Sequence, residues 1–180
     1  MKNKIILCSL CIITLFSLCG CEKKEKSIQN NVQNNNSEQK TNPKTTKDKI
    51  KDYYIDNYDA FCTEQKCTYN FSSYFGNTKY TIDFERKVYY IETYISDGNT
   101  YEEYNYENNS AYLKNISNVG WTTTTEVKGN FNNNEFKWNC NSDLQDACET
   151  LGQDFANKLI ELKSDLDKIC NKLGININDI

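Results

Sequence analysis

"YTIDFERKVYYIETYISDGNTYEEYNYENNSAYLKNISNVGW", residues 80–121, alternates apolar and polar side chains with a period of two. Tyr80, Ile82 and Phe84 fall on one side of an extended chain, and Thr81, Asp83 and Glu85 on the other. In the next run Val88, Tyr90 and Tyr94 share one side while Tyr89, Ile91 and Ile95 share the opposite one. Successive side chains of a strand point to opposite faces, so this period means strands rather than helices. Asp97-Gly98-Asn99 and Asn108-Asn109 interrupt the runs with residues that tolerate positive φ in tight turns. Short alternating runs joined by such turns predict an antiparallel meander.

The same reading extends in both directions. "CTYNFSSYF", residues 67–75, places Cys67, Tyr69 and Phe71 on one phase and stops at Gly76-Asn77. "GWTTTTEV" and "NEFKWNC" add two strands around the polar loop "KGNFNNN", for a total of about six or seven. Before the meander, "KDKIKDYYIDNYDAFC" spaces Ile50, Tyr54, Tyr58 and Phe61 as one face of a short helix. After it, Leu144, Cys148, Leu151, Phe155, Leu159, Leu162, Leu166, Ile169 and Leu173 recur at steps of three and four. Ser142 is a candidate N-cap and Gly174 a candidate stop for this long helix. At 1.5 Å per residue it would run about 45 Å, enough to cross a whole sheet. The expected class is therefore α+β: a curved antiparallel meander, the C-terminal helix packed on one face, and a short N-terminal helix beside it. The helix stripe reads as core, although a dimerising coiled coil would satisfy the same pattern.

The N-terminus has a different character. Lys2 and Lys4 precede an apolar run, Ile5–Leu18, that is too short to span a ~30 Å hydrocarbon core as a helix. A positive start, a short apolar stretch and small residues form the layout of an export signal, with an uncleaved anchor as the alternative. The run ends in Leu18-Cys19-Gly20-Cys21, which resembles the lipobox of bacterial lipoproteins. That resemblance implies a cut before Cys21, acylation of its thiol, and anchoring of the protein outside the cytoplasm on the cell membrane. The expected organisation is a signal peptide at 1–20, a lipidated tether at 21–46 and one domain at 47–180. From Glu22 to Thr46 the chain has almost no apolar residues and cannot bury enough surface to offset the entropy of ordering. Loss of the two signal lysines takes the formal charge from -4 to -6, so nothing favours nucleic acid or anionic lipid as partner.

Five cysteines remain besides Cys21: Cys62, Cys67, Cys140, Cys148 and Cys170. In an oxidising compartment they allow at most two bridges and leave one thiol over. Cys148 and Cys170 on one helix would lie ~33 Å apart, far beyond the ~7 Å that a disulfide tolerates. The remaining arrangements include a sheet-to-helix bridge or the local pairs Cys62–Cys67 and Cys140–Cys148. Unpaired buried thiols remain an alternative. A Cys₄ zinc site fits these spacings poorly, and no cofactor or metal is expected.

The sequence contains no histidine, which removes Ser-His-Asp and Cys-His hydrolases and His-ligated zinc. Asp83, Glu85, Glu92, Glu102, Glu103 and Glu107 could in principle supply a carboxylate pair, but most fall on polar strand phases. The 13 tyrosines are more informative, because Tyr53/Tyr54 and Tyr89/Tyr90 must point to opposite sides. They read as cross-strand aromatic pairs or as a platform for a sugar, peptide or lipid. Residues 80–121 also resemble the meander of LolA/LppX-like lipoproteins at Tyr80, Asp83, Gly98, Glu102, Tyr104, Tyr112, Lys114 and Trp121. That resemblance implies a curved sheet clasping helices around an apolar cavity able to hold lipid. The function expected from all this is a non-enzymatic envelope lipoprotein with an apolar or aromatic ligand groove. A surface module for a protein or glycan partner is the alternative, and a carboxylate-based hydrolase a remote one.

Overall fold

The computed structural model describes residues 43–132, 135–144 and 146–180. The expected signal peptide, Cys21 and most of the expected tether fall on residues outside these. Helix α1 covers Thr46–Tyr58 and opens on a capping box: Thr45 Oγ1 accepts from the Asp48 amide, while Asp48 accepts from the Thr45 amide. Two otherwise orphaned donors are thereby satisfied. Ile50 and Tyr54, one turn apart, are both fully buried. Asp59 takes φ 51° and ends the helix, so Phe61 leaves the predicted helical face and is exposed.

Eight strands follow, each antiparallel to the one before it, in one sheet whose spatial order is the chain order. They are β1 Phe61–Cys62, β2 Lys66–Ser73, β3 Gly76–Asp83, β4 Val88–Ile95, β5 Gly98–Asn105, β6 Ser110–Ser117, β7 Thr123–Asn132 and β8 Glu135–Ser142. The expected count of six or seven falls short because β1 has two residues, too few to show any period. It pairs with Thr68 and Cys67 at the sheet's edge. At the predicted turns, Asn109 takes φ 56° and Gly98 φ 152°. A Cβ on Gly98 would meet the Ile116 carbonyl oxygen of the neighbouring strand β6 at 2.0 Å, so glycine is required there.

Helix α2, Ala147–Leu173, lies across one face and ends at Gly174 in the left-handed region. It begins four residues later than Ser142 as N-cap suggests. Ser142 is the last residue of β8, where its hydroxyl shares a 2.8 Å hydrogen bond with that of Thr125 and accepts from the Leu144 amide. Asp146 stands at the N-cap without a side-chain hydrogen bond. Leu144 therefore precedes the helix, and Leu151 points to solvent. Phe155, Leu159, Leu162, Leu166 and Ile169 form the buried stripe, set against Cys67, Ile82, Tyr89, Tyr104, Leu113 and Val127 of the sheet. Gly152 lets α2 approach β8 closely, since a Cβ there would sit 3.2 Å from the Trp138 ring.

The cysteines form the two local pairs. Cys62–Cys67 clips β1 to β2, and Cys140–Cys148 ties β8 to the first turn of α2. The second bridge is therefore both local and sheet-to-helix. Cys170, in the last turns of α2, keeps a free thiol buried in the core. Among the described residues no helix is long and apolar enough to cross a membrane.

Candidate functional site

Paired residues on neighbouring strands share a face, so the register sorts the tyrosines. Tyr69 on β2 faces Tyr80 on β3, and Tyr89 on β4 faces Tyr104 on β5, all on the side that α2 covers. The Tyr69 and Tyr80 rings stack at 4.6 Å with 2° between their planes. Tyr58, the last residue of α1, lies on the other side of Tyr69 at 4.5 Å and 9°. The reversal at Asp59 makes this possible, folding the helix end back over the strand that follows it. Offset stacks of this kind contribute about 0.5–1.5 kcal/mol per pair beyond their buried area.

Around this three-ring stack lies a cleft of about 370 Å³ between α1, the sheet and α2. Small-ligand sites occupy roughly 300–1,000 Å³. Tyr53, Tyr58, Tyr69, Tyr80 and Tyr89 line one side, and Asp165, Lys168, Ile169 and Lys172 the α2 side. Tyr53 and Tyr58 share a hydrogen bond between hydroxyls 3.4 Å apart. Lys172 sits 4.9 Å from the Tyr53 ring centroid in a cation–π contact. Lys168 donates to Asp165 at 2.9 Å. No protein partner within hydrogen-bond reach serves the hydroxyls of Tyr69 and Tyr80 among the described residues. Beneath the cleft, Tyr54 is fully buried and its hydroxyl points toward Tyr89 without hydrogen-bond geometry to any group.

Hydrogen bonding at Tyr58 and burial at Tyr69, Tyr80 and Tyr89 favour the protonated phenol. Tyr58 is pushed up to about 12, chiefly by its hydrogen bond with Tyr53 and then by burial. Desolvation raises Tyr69 and Tyr89 well above the ordinary phenol value, and Tyr80 in the same direction. The cleft thus offers neutral hydroxyls that can donate and accept, aromatic faces and edges, and two ammonium groups against one carboxylate. Such a wall can hold a ligand with an apolar face and an oxygen-bearing edge. It presents no activated nucleophile, and among the described residues no three metal-ligating side chains converge.

The other face of the sheet is polar. Tyr90, Tyr101 and Tyr112 run across it, with neighbouring ring centroids 5.6 and 6.4 Å apart. Its carboxylates are paired: Lys79 donates to Glu92 at 2.8 Å, Arg86 and Tyr101 donate to Glu103, and Tyr112 donates to Glu126 at 2.8 Å. Asp83 accepts from the Glu85 and Arg86 amides and shapes the β3–β4 turn. Glu85 and Glu107 are exposed. A shallower groove of about 490 Å³ lies beside Tyr112, Lys128, Lys137 and Asn139.

Glu102 departs from its neighbours. It lies opposite Ile91 and Leu113 on the α2 side and is 9% exposed. Desolvation raises its carboxyl above the usual range, against the pull of Lys158 at 3.8 Å. Of the positions resembling the LolA/LppX-like pattern, Tyr80 lines the cleft, Tyr104 is in the core, and Trp121 is exposed at a loop. Asp165 and Lys172 escaped the sequence reading as site residues because helix periodicity treats charged positions as solvent-facing. No family of known proteins, curated protein or solved structure matches this chain.

Proposed function

We propose that the protein is a non-enzymatic, lipid-anchored binding protein of the bacterial envelope, which holds a small ligand in the tyrosine cleft. The observation that carries this reading is the Tyr58–Tyr69–Tyr80 stack, open to a cleft, in which the hydroxyls of Tyr69 and Tyr80 have no protein partner among the described residues. Aromatic rings of this kind pack on the apolar face of a sugar, a planar ring or an acyl segment, and the phenols and lysines take its oxygens. The lipobox-like end at Cys21 supports the address, as do two disulfides, which persist outside the reducing cytosol. Two acyl chains on Cys21 would give stable anchoring where one is marginal, at ~0.8 kcal/mol per buried methylene.

The anchoring part is tested by Cys21→Ser. The variant is expected to leave the membrane fraction or to stall as an unprocessed precursor, and unchanged partition of the processed protein would refute it. A second reading, a module for a protein or glycan partner, is favoured by the outer row Tyr90, Tyr101 and Tyr112 beside its groove. Substituting Tyr101 and Tyr112 by Ala would then abolish binding that Tyr69→Ala leaves intact.

A further inference from the structure

The strands all turn at two ends, and the two ends differ in chemistry. The β2–β3, β4–β5 and β6–β7 connections lie together, because Gly76 pairs with Ile95, Gly98 pairs with Ser117, and the Asn118 amide donates to the Asp97 carbonyl. Residues 72–77, 95–99 and 117–123 contain a single charged side chain, Asp97. They are otherwise Ser, Asn, Thr, Gly and five large apolar residues facing solvent: Tyr74 at 97%, Phe75 at 80%, Ile95 at 51%, Val119 at 71% and Trp121 at 69% exposure. The opposite end carries Glu64, Lys66, Asp83, Glu85, Arg86, Lys87 and Glu107.

We infer that the three tips, whose one charged side chain is Asp97, dip into the surface of the bilayer that holds the lipid anchor. Tyr and Trp concentrate at membrane–water interfaces, where an apolar ring and a polar edge are both satisfied. Charged groups are costly there, and the β2–β3 and β6–β7 tips have none while the β4–β5 tip has one. Asp143 and Asp146 stand on the β8 side of the same end, so the inserting edge is that of β2–β6.

The chain that precedes the domain fits this orientation. Helix α1 starts at the charged end: Lys47 donates to the Glu64 carbonyl at 3.0 Å and lies over the Phe84 ring. With the tips down, that point stands one strand length, about 26 Å for eight residues, above the membrane surface. A flexible chain as long as Cys21–Lys44 would have a root-mean-square reach of roughly 25–30 Å. Tethering is most effective when reach and span match, so a weak contact at the tips becomes an effectively intramolecular one. This inference rests on the anchoring reading above, through Cys21.

The test uses the full lipidated protein with vesicles of phosphatidylcholine, with and without brominated acyl chains. Sedimentation reports the anchor, and Trp121 emission reports the tips, with Trp121→Phe supplying the share due to Trp138. The expected result is co-sedimentation with a blue shift of Trp121 and quenching by brominated lipid, reduced several-fold in Phe75→Ser/Val119→Ser. Co-sedimentation with Trp121 still fully in water would overturn the tip contact and leave the anchor standing. Loss of co-sedimentation would overturn both. A blue shift that needs no lipid and grows with protein concentration would also overturn it, assigning the tips to a second copy of the chain.

Discussion

At the residue scale, burial decides which groups retain chemistry. Cys170 is the thiol left over from two bridges, and burial pushes it up to about 11, so little thiolate exists at neutral pH. Iodoacetamide at pH near 8 should leave it unmodified in the folded protein and add one group in denaturant without reductant; modification of Cys62, Cys67, Cys140 or Cys148 under those conditions would contradict the two bridges. Glu102 gives a pH dependence. Its folded carboxyl is raised above the ordinary value of 4.5, so the folded state holds the proton more tightly than the unfolded chain does. Below 4.5 the group is protonated in both states; as pH rises through the folded value, the protein loses stability. Glu102→Gln should therefore be more stable than the parent in urea at pH near 7, with the gain vanishing in acid. A less stable variant at neutral pH would mean that the half-exposed Lys158 compensates Glu102 fully.

At the element scale, the hairpins were legible because Ile82, Tyr89 and Leu113 alternate with polar neighbours, and each turn carries a residue suited to it. Three features were hidden for physical reasons. β1 is too short to have a period. Ser142 has the chemistry of an N-cap, but its hydroxyl is engaged by Thr125 across β7 and β8, a pairing visible only in the register. The cleft needs Tyr58 beside Tyr69, which depends on the left-handed Asp59 rather than on any spacing. Alternation puts Tyr69 and Tyr80 each on the apolar phase of its own strand, and only the β2–β3 register shows that the two rings share a face. The start of α2 is secured by Cys140–Cys148, since Asp146 provides no cap. Replacing both cysteines with Ala should cost about 2.5 kcal/mol on the loop-entropy account for a separation of 8 residues. Chemical denaturation with an unchanged midpoint would show that helix packing alone holds the junction.

At the scale of the whole molecule, a sheet with one face filled by α2 leaves its aromatic surface in three places: the cleft, the tips and the row Tyr90, Tyr101 and Tyr112 on the outer, mostly polar face. The long stripe from Phe155 to Ile169 fills the middle of the covered face, so the open cleft lies on the flank where α1 meets the sheet. That position makes the cleft small and favours a compact ligand over a long acyl chain. Native mass spectrometry of the protein extracted gently from its membrane tests this most directly. The account predicts the acylated chain beginning at Cys21 with a non-covalent small molecule bound, and loss of that molecule in Tyr69→Ala/Tyr80→Ala. A ligand retained undiminished by the double variant, or wild-type protein that is bare and binds none of the envelope's small molecules, would contradict it.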